Sequence, residues 1–212
     1  MEKAKSTLQG LYGMMWEKPA LMEKNIDRDK TAFIILNAAN GYIREGVSKN
    51  EAFEDVIEPV ADLLKYFKEN NMPAVFITDS RCKNSTESEP VDELKAIGGY
   101  DLIGKTSSNA VIEPKFQEWL EGHPEIDTFV VSGLMTDIDV MQFCSTLKAQ
   151  FDSISKKIRI ILPLNTVDTF DAGSHNVTLV NTMAVYFMEQ LGVEIVFEIN
   201  LKNKIPFEYR QA

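Results

Sequence analysis

Cysteine and histidine are both scarce, with two of each in 212 residues. Cys82 and Cys144 lie far apart and form no C-x-x-C pair, so there is no disulfide framework to read. A reduced, cytoplasmic protein is the simplest expectation. Long apolar runs are missing too. None approaches the roughly 20 residues needed to span a bilayer, so no membrane partner is expected. The first residues, MEKAKSTLQGLYGMMW, hold no continuous apolar core and no small-residue cleavage site, and no secretory leader is expected. Positive charge is in deficit. Lys and Arg number 22 against 32 Asp and Glu, a net charge of −10 with the two signs interspersed. Phosphate binding needs a basic face, so no nucleic-acid partner is expected. Internal repeats, low-complexity segments and an interdomain linker are also lacking.

What is present suits one globular domain. Hydrophobic residues make up 44% and charged residues 25%, ordinary values for a soluble chain long enough to bury a full core. Leu8, Leu11, Tyr12, Met15 and Trp16 fall at helical spacing, predicting an N-terminal helical extension within residues 1–29 that packs on the domain or on a second subunit. The α/β domain spans 30–200, and 201–212 is a polar tail. Short β-branched runs predict strands at 30–37, 73–79, 100–105, 129–131, 157–163 and 193–199. Between them, Phe53, Val56, Ile57, Val60, Leu63, Leu64 and Phe67 form one helical stripe. Further helices are predicted at 114–121, after 136 and at 177–191, with loops at 80–89 and 165–175. Strand and helix alternate almost throughout. That pattern specifies a three-layer α/β/α, doubly wound, mostly parallel sheet of about six strands.

In such folds ligands bind beyond the carboxyl ends of the strands. The polar residues there are Asn37, Asp79, Lys105 and Asp139. Asp139 lies in the stretch on which the chain is centred, Thr128–Lys148. Phe129-Val130-Val131 is a buried strand, Gly133 breaks it, and Thr136 offers an N-cap hydroxyl with Asp137 just inside the helix start. Strand, turn and helix N-terminus in that order aim backbone N–H groups at a ligand.

From Thr31 to Ile199 the sequence resembles the isochorismatase-like hydrolase superfamily, which includes nicotinamidases and related cysteine amidases. Three segments carry the resemblance, in the family's order. They are Ile35-Leu36-Asn37 followed by Ala38-Ala39-Asn40-Gly41-Tyr42, then Gly104-Lys105-Thr106-Ser107-Ser108-Asn109, then Gly133-Leu134-Met135-Thr136-Asp137-Ile138-Asp139. The resemblance implies a Rossmann-like fold and an aspartate–lysine–cysteine site, in which a thiolate attacks a carbonyl, lysine lowers its pKa and aspartate shuttles the proton. Here those positions read Asn37, Lys105 and Asp139. It further implies an oxyanion turn at Leu134, Met135 and Thr136 with a cis Leu134–Met135 peptide, and pocket positions at Asp79, Tyr42 and Asn109. Nicotinamidases pair an aspartate with nearby histidines to hold a metal. Asp79 matches the aspartate, but 80–89 holds no histidine, and neither a metal nor another cofactor is expected.

Asn37 cannot accept a proton at neutral pH, and an ionised Asp139 is a poor nucleophile towards an amide. Three readings follow: a non-catalytic member that binds a small molecule, a hydrolase of a non-amide metabolite using Asp139 and Lys105, or a structural partner of an active relative. The first is favoured, because a carboxylate serving as the counter-charge of a buried lysine makes a poor general acid. A homo-oligomer, dimer or tetramer, is expected. His175 and His123 read as surface residues, Cys144 as a small buried hydrophobe, and Met183, Tyr186, Phe187 and Leu191 as core or subunit interface. Trp16 and Trp119 lie in no matched segment.

Overall fold

The computed structural model describes residues 2–46, 49–81 and 85–201. Cys82 and the tail from 202 onward lie outside the described residues. Among the described residues, seven strands form one sheet: β1 (Thr31–Leu36), β2 (Ala74–Asp79), β3 (Asp101–Lys105), β4 (Thr128–Leu134), β5 (Arg159–Pro163), β6 (Val167–Asp168) and β7 (Glu194–Val196). Their order is β3-β2-β1-β4-β5-β7, with β6 paired to β4 beyond β5, and every pairing is parallel. Helices α1 (Glu2–Trp16), α2 (Glu54–Glu69), α3 (Pro114–Glu121), α4 (Met141–Ser153) and α5 (Val177–Gln190) complete the frame. The α/β sandwich expected from the alternation is present, with one more strand than expected.

The strands read as continuous apolar runs because both faces are covered. On one face Phe33, Ile35, Phe76 and Val130 pack against the α2 stripe, with Phe33 and Phe67 stacked at 5.1 Å. On the other, Ile34, Ile77, Phe129 and Val131 meet Phe116 of α3, Phe143, Cys144 and Leu147 of α4 and Val185 of α5. Successive strand residues alternate between the two cores, as a period of two requires.

Two departures from the sequence reading concern short pairings. The expected loop 165–175 contains β6, two residues that bond to the end of β4. The expected last strand is split. β7 stays in the sheet, whereas Ile199–Asn200 leaves it and pairs with Leu21–Met22 in a separate two-stranded ladder. The cause is tertiary: the backbone N–H of Phe197 donates to Pro19 O at 3.0 Å and that of Leu21 to Glu198 O at 2.8 Å, drawing the chain towards the N-terminal segment.

The strand order reverses between β1 and β4, so the crevice beyond their carboxyl ends is the expected ligand position. Gly133 makes their close approach possible. It has φ +110°, and a Cβ there would lie 1.8 Å from Leu36 O, beside its partner in register. Gly133→Ala is therefore expected to cost more than about 3 kcal/mol, or to abolish soluble expression. Urea unfolding of the variant against the parent measures this.

Candidate functional site

Strand ends bring the matched positions together. Asp79 and Lys105 are the last residues of β2 and β3 and are partners in register. Asn37 follows β1, and its neighbour Leu36 is in register with Gly133 of β4. After Leu134 the chain makes a cis peptide to Met135, as the resemblance implied, and enters a wide helical turn, Thr136–Val140, before α4. Met135 O accepts from both Ile138 N at 3.2 Å and Val140 N at 3.1 Å, the second an i→i+5 bond. Thr136 is thus inside the turn and is not its cap, correcting the sequence reading. Met135 holds the cap position without a side-chain bond.

Lys105 is 1% exposed and Asp139 7%. Their charged atoms, Nζ and Oδ1, lie 2.7 Å apart. The same ammonium donates to Ser107 O at 3.2 Å. Asn37 is wholly buried and adopts a left-handed φ of +53°, which Asn tolerates better than most residues. Its amide N–H donates to Leu134 O at 2.9 Å. A flipped amide would face oxygen to oxygen, so this neighbour fixes its orientation. The other atom, Oδ1, is buried with no partner among the described residues, as are Thr78 Oγ1 and Thr136 Oγ1. Thr78, one residue before the end of β2, was missed in the sequence because it lies in no matched segment.

The remaining pocket candidates are already engaged. Both oxygens of Asp79 are taken by Arg81, with Nε at 2.9 and 3.2 Å and the Arg81 backbone N–H at 2.8 Å. Those bonds hold the carboxyl below the usual carboxylate range despite its burial. A divalent metal does not suit this donor set. The carboxylate is committed to a guanidinium, and among the described residues no three His, Cys, Asp or Glu side chains gather as ligands. Asn109 caps the turn Ala110–Ile112, accepting from Val111 N at 3.3 Å, and donates to Thr146 Oγ1 at 2.9 Å. Tyr42, half-buried on the short helix Asn40–Ile43, packs against the α2-side core.

A family model for the isochorismatase domain matches residues 31–154. The chain belongs to the isochorismatase family. Solved structures agree on the fold. N-carbamoylsarcosine amidase from Thermoplasma acidophilum is 19% identical, with a TM-score of 0.64 over 84% of this chain and 99% of its own. Nicotinamidase PncA from Bacillus subtilis is 17% identical, with a TM-score of 0.63 over 79% and 99%. YcaC from Escherichia coli, described as an octameric hydrolase of unknown specificity, is 18% identical, with a TM-score of 0.59 over 81% and 76%. No curated protein matches the sequence. Among the described residues, no helix is long and apolar enough to cross a membrane.

The two histidines are not plain surface residues. His123 is half-buried, stacks on Trp119 at 4.3 Å and bonds its carbonyl at 2.8 Å. His175 reaches back to the turn that carries Asp139. Its Nε2 is 2.8 Å from Asp137 Oδ2 and its Nδ1 2.8 Å from Phe170 O. The ring stacks on Phe170 at 4.0 Å, and Thr169 Oγ1 donates to Asp137 Oδ1 at 2.6 Å. Both ring neighbours are acceptors, so only the imidazolium makes both bonds. The Asp137 carboxylate, chiefly, raises the His175 pKa. A raised folded-state pKa gives stability that is complete below the unfolded value of about 6.5 and is lost as pH rises through the folded value. The melting temperature of the parent is therefore expected to exceed that of His175→Gln below pH 6.5, with the gap narrowing at alkaline pH. A gap independent of pH would contradict the assignment.

Proposed function

We propose that this isochorismatase-family protein is non-catalytic as a thiol amidase and serves as a small-molecule binder. The Lys105–Asp139 ion pair carries this reading. The chemistry implied by the family resemblance needs a thiolate beside the lysine and a carboxylate at the end of β1. Position 139 instead supplies a carboxylate, 2.7 Å from the ammonium that would have activated the thiol. Position 37 supplies an amide whose N–H is spent on Leu134 O. Cys144 does not substitute for the nucleophile: it is fully buried, and burial pushes its thiol up to about 12. A pair so closely matched neutralises itself and leaves neither a free base nor a ready proton donor.

Self-association belongs to the same proposal. Leu179, Tyr186, Phe187 and Leu191 are exposed on or just after α5, and Met14 on α1, an apolar surface of the kind that partners cover. Met183 is half-buried. The Escherichia coli relative is described as octameric. A dimer or tetramer is the expected state, and sedimentation velocity reporting only monomer would contradict it.

Turnover tests the main reading. The parent protein is expected to hydrolyse neither nicotinamide nor N-carbamoylsarcosine. In the double variant Asn37→Asp, Asp139→Cys, the thiol introduced at position 139 is expected to react with iodoacetamide at least about tenfold faster than Cys144, because Lys105 and the helix start favour its thiolate. Hydrolysis by the parent that is abolished by Lys105→Ala would overturn the reading and favour a hydrolase built on Asp139 and Lys105.

A further inference from the structure

Helix α5 is apolar on two opposite sides. Inward, Ala184, Val185 and Met188 join Val140, Phe143 and Leu147 in the core, next to the turn that carries Asp139. Outward, Leu179 is 42% exposed, Tyr186 36%, Phe187 50% and Leu191, just past the helix end, 47%. Met183 between them is half-buried. A helix that is hydrophobic all round is ordinarily a buried one. Here the outward side is bare.

The order of its side chains suits a second copy of the same helix. Leu179, Met183, Phe187 and Leu191 recur every four residues and form one ridge, with Tyr186 at its flank. The ridge reads Leu-Met-Phe-Leu in one direction and Leu-Phe-Met-Leu in the other. An antiparallel copy sets Leu179 opposite Leu191 and Met183 opposite Phe187, so every position meets a large apolar partner. Contacts repeated from both sides are what a two-fold interface requires. Charge points the same way. The net charge is −10, so two copies repel over much of their surfaces. Among the 14 residues of α5 only Glu189 is charged, and it is paired with Lys18. Lys148, whose side chain lies beside Gly192 at the far end, is paired with Asp152 at 3.7 Å. Two like-charged copies can therefore meet along this ridge without opposing like charges. A basic partner, the kind that a −10 chain attracts, finds no free carboxylate on the helix to bind.

We propose that α5 forms the two-fold interface of a homodimer, with the Leu179–Leu191 ridge packed antiparallel against the same ridge of a second copy. Interdigitated ridges of this spacing cross at about −50°, and the axis passes between Met183 and Phe187. The assignment rests on the self-association proposed above and adds the surface and its geometry. It also places the interface directly behind the candidate site, because the inward face of the same helix packs on Val140 of the turn Thr136–Val140.

Cross-linking and sedimentation velocity of the full chain test this. For cross-linking, Cys82→Ser leaves the fully buried Cys144 as the only native thiol. Phe187→Cys, beside the axis, should give a covalent dimer with a short bismaleimide. Leu102→Cys, 58% exposed on the edge strand β3, should not. Phe187→Glu brings an unpaired carboxylate into the contact from both copies. It should raise the dissociation constant about a hundredfold or more, halving the assembly with unchanged far-UV dichroism. Should that variant fail to fold, Leu179→Gln, exposed on the first turn of α5, takes its place. Equal cross-linking at positions 187 and 102, or assembly unchanged by the substitutions, would overturn this interface while leaving self-association standing. A monomeric parent would overturn both, and is the result expected if the segment from 202, with Ile205, Phe207 and Tyr209, covered the ridge instead.

Discussion

A lysine ammonium buried to 1% exposure needs an opposite charge, and at the carboxyl end of this sheet Asp139 supplies it. Taking either charge out of water alone costs several kcal/mol, so each is stable there only with the other. That constraint ties three parts of the fold together. β3 must end at Lys105 in register with Asp79, β4 must turn sharply at Gly133, and the wide turn after Met135 must aim residue 139 inward. Asn37 fits the same arrangement, because an amide satisfies Leu134 O where an ionised carboxylate would repel it.

On the proposed reading, the pair is also what separates this chain from a thiol amidase. In that chemistry the lysine's charge has to be available to a nucleophile and an oxyanion as they develop. Here it is already neutralised at 2.7 Å. Stabilising the resting fold and activating an incoming group are competing uses of one ammonium, and the short distance favours the first.

Much of the architecture was legible because the strands are buried on both sides. Runs such as Phe33-Ile34-Ile35 and Val75-Phe76-Ile77 have no other economical reading, and the α2 stripe is strongly periodic. Asn37, Lys105 and Asp139 stood out as polar residues beyond the carboxyl ends of the strands and again in the family resemblance, which the family model supports over residues 31–154. What was hidden depends on contacts between distant segments. β6 is two residues long and has no periodicity to detect, and the last strand is split by the Leu21–Met22 ladder. The His175–Asp137 bond joins residues 38 apart in sequence.

The central claim is that Lys105 and Asp139 act as one structural unit. A thermodynamic cycle of Lys105→Met, Asp139→Leu and the double variant, read by urea unfolding, tests it most directly. Each single change should cost about 3–5 kcal/mol by stranding a buried charge, and the double variant should recover most of that loss, since apolar replacement of a whole buried pair is often neutral. Losses that simply add would contradict the account, because they would show two charges maintained separately for a purpose other than each other.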